Sequence, residues 1–251
     1  MKRVELIEIL DQLLTPWKFK DYAPNGLQVE GRSEVSHIVT AVTAGQAAID
    51  AAIELGADTL LVHHGYFWKG ENQVITGMKR NRIKALLDNN INLVGYHLPL
   101  DAHPTLGNNA RLAQALGLEL AGPMELGNEL SIPVWGKFEP PVSESELCDR
   151  IAKALGRTPL CISGHDRKIA TLGICTGGAP DYIDLAASLN LDGYLSGEVA
   201  ERTYYSAKEQ GVSYFAAGHH ATERGGVQAL GQYLADNHGL KVTFIDCDNP
   251  V

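Results

Sequence analysis

Cysteine is scarce in this sequence and never occurs in close pairs. The chain has four cysteines, and none lies in a CxxC motif, so the sequence indicates neither a zinc ribbon nor a disulfide framework. We therefore expect all of them to be reduced side chains buried as small hydrophobes. They are Cys148, Cys161, Cys175 and Cys247.

Basic residues are in deficit, and long apolar runs are missing. The 21 lysines and arginines face 30 aspartates and glutamates, for a formal net charge of -9. This balance argues against a general nucleic-acid-binding protein, which usually presents a basic face. No run approaches the roughly 18 apolar residues of a membrane span, and the N-terminal sequence resembles an amphipathic helix more than a signal peptide. We expect a cytoplasmic protein with no membrane partner.

The common glycine motifs of nucleotide-binding enzymes are also missing. The sequence has no GxxxxGK[ST], and no GxGxxG follows a predicted strand, which argues against a P-loop NTPase or a dinucleotide enzyme. One glycine-rich turn, TGGAP at 176–180, does follow a predicted strand. On its own it is weak support for phosphate binding.

Short apolar runs alternate with helical patterns along the 251 residues, of which 45% are hydrophobic. Leu147, Ile151 and Leu155 recur at helical spacing, and Ser143 with Glu146 forms a candidate capping box in front of them. Alternation of strands and helices predicts an α/β fold with three layers, α/β/α. The predicted strands are 37–42, 58–62, 91–96, 168–174, 211–217 and 241–246.

One stretch interrupts this alternation with glycine and proline. Residues 121–142, AGPMELGNELSIPVWGKFEPPV, are therefore the best candidate for a domain boundary. We expect a first α/β domain formed by residues 1–125 plus 215–251, which carries most of the histidine motifs described below. Residues 126–214 then form a second α/β domain.

The two expected domains carry a faint internal repeat. Residues 42–64 align with 176–198 at an offset of 134, which places Asp58 on Asp192. A second match, at an offset of 122, places His97 on His219 and Asp101 on Glu223. Similarity this faint also arises by chance. A true repeat would make the chain two related α/β halves.

Six of the nine histidines lie in three short segments, each at the C-terminal end of a predicted strand. Ligands collect at the carboxyl ends of strands in open α/β sheets, so the segments point to one kind of site. Taken singly, a histidine at the end of a strand is more often a core or surface residue than a ligand. The segments are VHHG at 62–65, HLPLDAH at 97–103 and HHATE at 219–223.

Two of these segments place a carboxylate four residues after a histidine. His97 precedes Asp101, and His219 precedes Glu223 at a spacing that puts both on one helical face. Imidazole and carboxylate together suit Zn, Mn, Fe, Co or Ni better than Ca, which prefers oxygen alone. Spacing favours His219, while His220 would then face solvent or support the site from outside.

Five motifs together resemble the GTP cyclohydrolase type 2 homolog family, also described as NGG-interacting-factor-three-like proteins. The resemblance runs from about residue 21 to residue 246 and is greatest to the short bacterial members. The motifs are DYAPNGLQVEG (21–31), VHHGYFWKG (62–70), GYHLPLDAHPTLGNNA (95–110), LSGE (195–198) and GHHATERGG (218–226).

The resemblance implies a metal centre with two divalent ions and a hydrolase-like activity of the GTP cyclohydrolase kind. It also implies two interlocked α/β domains and a homohexameric ring with the metal sites facing an inner cavity. The ligands carried over by motif are His63, His64, Asp101, His219 and Glu223.

Other residues near these motifs are candidates for proton transfer and substrate binding. His97 is the best candidate for proton transfer or for orienting a ligand, and Glu198 is a weaker one, since it equally suits an exposed carboxylate. Trp68 is a candidate for stacking on a base, and Lys69 and Arg224 are candidates for phosphate. The leading hypothesis is a metal-dependent hydrolase of a nucleotide or related small molecule; the alternative is a non-catalytic metal-binding or ring-shaped regulatory protein.

Overall fold

Two mixed β-sheets organise the chain in the computed structural model, which describes residues 1–251. The strands are β1 Gly26–Val29, β2 His37–Thr43, β3 Thr59–His64, β4 Asn92–Gly95, β5 Glu119–Pro123, β6 Val134–Val142, β7 Leu160–Ile162, β8 Ile169–Cys175, β9 Gly193–Ser196, β10 Ser213–Ala216 and β11 Lys241–Phe244.

The helices lie between these strands. They are α1 Arg3–Leu14, α2 Gln46–Glu54, α3 Gly77–Asp88, α4 Leu98–Asp101, α5 Asn108–Leu116, α6 Glu144–Leu155, α7 Ile183–Ser188, α8 Glu201–Gln210, α9 His219–Thr222 and α10 Arg224–His238, with short 3-10 helices at Pro16–Lys18 and Pro180–Tyr182. No helix is long and apolar enough to cross a lipid bilayer.

The first unit comprises Met1–His103 and Gly226–Asp248. Its sheet has the strand order β1-β4-β3-β2-β11, in which β4, β3, β2 and β11 run parallel and β1 pairs antiparallel with β4. The inner strands are buried along nearly their whole length, as expected for parallel strands covered on both faces. Helix α1 buries Leu6, Leu10 and Leu14, the stripe that its amphipathic sequence predicts.

The second unit comprises Pro104–Gly225 and Asn249–Val251. Its sheet has the order β5-β6-β8-β9-β10-β7, with β8, β9 and β10 parallel and the remaining pairs antiparallel. Helix α6 buries Leu147, Ile151 and Leu155. At its start the Ser143 side chain accepts a hydrogen bond from the Glu146 backbone N–H at 3.1 Å. This is one half of the predicted capping box, and the Glu146 carboxylate instead accepts from Arg150 Nη2 at 2.6 Å.

These two sheets confirm the α/β prediction, and each of the six predicted strands is present with its ends shifted by a few residues. The domain boundaries differ from the prediction, because residues 104–125 and 215–225 belong to the second unit. The reason is strand pairing: β5 pairs with β6, and β10 pairs with β9 and β7. The glycine- and proline-rich stretch 121–142, predicted to mark a domain boundary, lies inside the second unit, and most of it joins or forms strands of the second sheet.

Matching hydrogen bonds brace one pair of parallel strands in each unit, β2–β3 in the first and β8–β9 in the second. In the first unit the backbone N–H groups of residues 36 and 37 donate to Asp58 Oδ2, at 2.7 and 2.9 Å. In the second unit the N–H groups of residues 170 and 171 donate to Asp192 Oδ2, both at 3.0 Å. The three pairs of positions, 36 with 170, 37 with 171 and 58 with 192, are all offset by 134, the spacing of the sequence match.

The structure corrects the expectation that all four cysteines are reduced. Cys148 on α6 and Cys161 on β7 form a disulfide. They meet because a short connection brings β7 back along α6, and both side chains pack against the same core cluster. Cys175 is free and buried, and Cys247 is free and half-buried.

Candidate metal-binding clusters

The first unit gathers its histidines at the ends of two neighbouring strands. His63 and His64 end β3, and His97 directly precedes α4 after β4. Because β3 and β4 run parallel, their carboxyl ends meet at one edge of the sheet. One ring nitrogen from each of His63, His64 and His97 lies within 4.8 Å of the others. With Asp101 they form what we call the first-unit cluster.

His63 is held in an orientation that suits a metal ligand. The residue is 1% exposed, and its Nδ1 lies 3.0 Å from the Tyr96 carbonyl oxygen. A carbonyl only accepts, so Nδ1 carries the proton and Nε2 carries the lone pair. Nε2 lies 3.5 Å from Oδ1 of Asp101, itself only 6% exposed. A buried lone pair facing a buried carboxylate is a donor arrangement that fits a divalent cation.

His97 is oriented by Asp21, which was not among the predicted site residues. Its Nδ1 lies 2.7 Å from Oδ1 of Asp21, and its backbone N–H donates to Asn25 Oδ1 at 2.8 Å. Burial alone would raise the pKa of Asp21, but the hydrogen bonds from His97 and Asn25 outweigh it and lower that pKa below its usual value. Asp21 therefore stays ionised and keeps the proton of His97 on Nδ1, with Nε2 directed to the cluster.

Trp68 lies against the first-unit cluster, whereas Lys69 does not pack into it. The Trp68 ring is 5.0 Å from the His97 ring and 5.8 Å from the His64 ring, measured between centroids, and the two pairs are edge-to-face. Its indole N–H donates to the Gly65 carbonyl at 3.1 Å. The Lys69 side chain is exposed. Trp68 therefore lies beside the first-unit cluster, and its role in binding a base stays a prediction.

The second unit places a histidine between two carboxylates. His219 Nε2 lies 3.3 Å from Oε2 of Glu223, and His219 Nδ1 lies 2.7 Å from Oε1 of Glu198. The hydrogen bond that His219 donates to the Glu223 carboxylate is the largest cause that raises the pKa of His219, to about 9, against the lowering effect of burial. We call Glu198, His219 and Glu223 the second-unit cluster. Glu198 joins this cluster through its contact with His219 Nδ1.

Glycines let the backbone come close to this second-unit cluster. Gly177 has a φ of +71°, and a Cβ added there would lie 2.2 Å from Oε1 of Glu223 and 3.2 Å from Nε2 of His219. A Cβ on Gly197 would lie 2.6 Å from the Cα of His219. The Gly177 N–H donates to Thr222 Oγ1 at 3.0 Å. The TGGAP turn therefore packs directly against the second-unit cluster. The N–H of its first glycine, Gly177, is bonded to Thr222 and is not available to a phosphate.

The structure distinguishes His219 from His220 and gives Arg224 a contact of its own. His219 is the histidine that meets both carboxylates, while His220 is 7% exposed and so does not face solvent. Arg224 donates from Nη2 to the carbonyl of Leu155, the last residue of α6. A cation at a helix C-terminus is favoured by the helix dipole, which accounts for this placement of Arg224.

The donor chemistry of both clusters is that of a transition-metal site. The first-unit cluster offers three imidazoles and one carboxylate, and the second-unit cluster offers one imidazole and two carboxylates. Neutral imidazole nitrogen with carboxylate oxygen suits Zn, Mn, Fe, Co and Ni, while neither cluster contains a thiolate. The residues present therefore fit divalent transition-metal ions.

The sequence model of the family described as Duf34/NIF3 (NGG1p interacting factor 3) matches residues 1–250. A Vibrio cholerae protein named GTP cyclohydrolase 1 type 2 homolog is 57% identical over 253 residues, with 100% of each chain covered. The protein of the same name from Escherichia coli strain K12 is 52% identical over 251 residues, again with 100% of each chain covered.

Two solved structures have the same fold over almost the whole chain. Protein ybgI, described as of unknown function, has a TM-score of 0.96 at 52% identity and covers 100% of both chains. Reduced HcgD from Methanocaldococcus jannaschii has a TM-score of 0.86 at 25% identity and covers 98% of both chains. Sequence and fold thus point to one family along the full length.

Proposed function

This chain belongs to the Duf34/NIF3 (NGG1p interacting factor 3) family, and we propose that it binds two divalent transition-metal ions and hydrolyses a nucleotide or related small molecule with them. The proposed ligands are the five carried by the motifs: His63, His64, Asp101, His219 and Glu223. The observation that carries the proposal is buried His63, with its Nδ1 on a carbonyl and its Nε2 3.5 Å from Asp101.

Divalent ions in such a donor set supply Lewis acidity, which lowers the pKa of a bound water and stabilises developing negative charge. The chain itself contributes proton handling. His97 Nε2 carries the lone pair, because Asp21 holds the proton on Nδ1, so His97 is suited to accept a proton at Nε2. Glu198 acts through His219, whose ring it orients at 2.7 Å.

A nucleotide substrate agrees with the name of the relatives and with the surroundings of the first-unit cluster. Trp68 offers a half-buried ring beside His64 and His97 for a planar base. Lys69 supplies an exposed cation one residue later. Arg224 remains a phosphate candidate, although its bond to the Leu155 carbonyl favours a supporting role. We propose in addition the homohexameric ring that the family resemblance implies, which a mass measurement in solution checks.

Metal content tests the ligand set. We expect His64→Ala and Glu223→Ala each to lose metal while staying folded, because each removes a donor of the proposed centre. Elemental analysis of metal-supplemented protein is the measurement, with circular dichroism as the check on folding. His238→Ala and Glu201→Ala serve as controls, since they change the same residue types outside both clusters. Full metal content in both ligand variants refutes the assignment.

A substrate screen tests the hydrolase itself. Metal-loaded protein is incubated with a panel of nucleotides and phosphoesters, and turnover that a chelator abolishes supports the proposal. His97→Gln should then lower turnover while metal content stays high, because His97 moves a proton in this scheme. Fully loaded protein without turnover on any substrate class favours the non-catalytic metal-binding alternative.

A further inference from the structure

The turn that precedes His219 is packed against an arginine from a distant part of the second unit. Gly218 has a φ of +96°, and a Cβ added there would lie 2.3 Å from Nη1 and 2.7 Å from Cζ of Arg157. Arg157 lies in the connection between α6 and β7. Its planar guanidinium thus fills the space that a side chain at position 218 would occupy, directly before the proposed ligand His219.

The same guanidinium holds residues 249–251, which in turn contact the histidine segment. Arg157 Nη1 donates to the Pro250 carbonyl at 2.9 Å, and the Val251 carbonyl accepts from the His220 backbone N–H at 3.0 Å. The Val251 N–H donates to Asn249 Oδ1 at 2.9 Å, which curls residues 249–251 into a turn. The His220 amide lies in the first turn of α9, where helix N–H groups have no partner within the helix.

We propose that Arg157 and residues 249–251 form a belt that sets the orientation of His219 and thereby the metal affinity of the second-unit cluster. The inference rests on the proposed metal-binding function. Helix α9 has only four residues and cannot fix its own direction, so its position depends on outside contacts. The belt supplies two of these: the packing on Gly218 before His219, and the bond to the His220 amide after it.

Arg157 is therefore a positioning residue, which acts on the metal through the backbone of His219 and not by ligation. Partners that orient a ligand from outside typically change metal affinity about 10–100-fold when they are removed. Lysine at 157 keeps a donor for the Pro250 carbonyl but lacks the planar fork that lies on Gly218. Arg157→Lys should accordingly fall between the wild type and Arg157→Met.

Titration with Co²⁺ tests the belt, because the visible spectrum of bound Co²⁺ reports ligand geometry as well as occupancy. The full-length apo protein is titrated as wild type and as Arg157→Met, Arg157→Lys and Asn249→Ala. Arg150→Met is the matched control: Arg150 also donates from Nη1 to a backbone carbonyl, that of Leu116 at 3.0 Å, but away from the histidine segment. We expect Arg157→Met to weaken Co²⁺ binding about tenfold or more and to alter its spectrum.

Asn249→Ala should also weaken Co²⁺ binding. If Arg157→Met does not fold, the proposal is tested on Asn249→Ala instead. Arg157→Lys should recover part of the affinity, and Arg150→Met should match the wild type in both affinity and spectrum. If Arg157→Met and Asn249→Ala both keep the Co²⁺ affinity and spectrum of the wild type, the belt does not orient His219, while the proposed metal binding still stands. Wild-type protein that binds no Co²⁺ overturns the proposed function itself.

Discussion

Two glycines of the second unit share one backbone conformation but differ in their surroundings. Gly177 and Gly156 have φ values of +71° and +70°. A Cβ on Gly156 would meet no atom within 4 Å, whereas one on Gly177 would run into the Glu223 carboxylate. Left-handed backbone costs a non-glycine residue of order 1–3 kcal/mol at either place. Comparison of the two positions separates this backbone strain from damage to the second-unit cluster.

Gly177→Ala should therefore lower both stability and metal content, because the new methyl group displaces Glu223 from His219. Gly156→Ala should lower stability by a similar amount of backbone strain and leave metal content unchanged. Thermal unfolding and elemental analysis of the two variants measure these effects. Equal metal content in Gly177→Ala and Gly156→Ala would show that the close contact at Gly177 does not matter for binding.

At this scale the sequence predicts residues that end a strand and misses those that orient them. His63 and His64 were found because an apolar run stops at them, and parallel strands bring such ends together. Asp21 lies in a loop, 76 positions from the His97 ring that it holds. No periodicity in the sequence marks a contact of that length, so Asp21 was not among the predicted site residues.

The strand pairs β2–β3 and β8–β9 are tied in the same way at their starts, and each pair includes a strand that leads into a cluster, β3 in the first unit and β9 in the second. Asp58 ties the start of the first pair and Asp192 the start of the second, each through two backbone N–H groups and a hydroxyl. For both carboxyl groups burial raises the pKa, but the hydrogen bonds that they accept lower it more, to below the usual value. The ionised form is therefore the one that the folded chain stabilises.

Asp192→Asn and Asp58→Asn should each destabilise the chain, by about 2 kcal/mol for losing charge-assisted bonds. A lowered folded-state pKa adds stability above the unfolded pKa of 3.8, and this stability is lost as pH falls through the folded value. The wild type should thus lose more stability than either variant in the acid range. Urea unfolding at pH 7 and near pH 3 measures this, with exposed Asp88→Asn as the control. If the free energy of unfolding falls equally with pH in the wild type and in the variants, these carboxylates do not cause the loss of stability in acid.

At the scale of the whole molecule, composition and alternation predicted two α/β units but not their limits. Glycine and proline at 121–142 suggested a domain boundary, yet Val134–Val142 forms β6 and pairs on both sides. The antiparallel strands β5, β6 and β7 lack the continuous apolar runs of parallel strands, because their exposed positions alternate with buried ones or outnumber them. The hydrophobic pattern therefore reveals parallel strands more readily than antiparallel ones.

Metal removal should lower the stability of the whole chain. The proposed ligands come from distant parts of the sequence, so an unfolded chain cannot gather them and the ions bind the folded state alone. Linkage then stabilises the fold by about 2.7 kcal/mol when free metal is 100 times its dissociation constant. Thermal unfolding with and without a chelator measures the effect. The chelator should have much less effect on a double variant, His64→Ala with Glu223→Ala, since that chain has already lost its metal. An equal shift in both proteins would mean that the stabilising ions bind outside the two clusters.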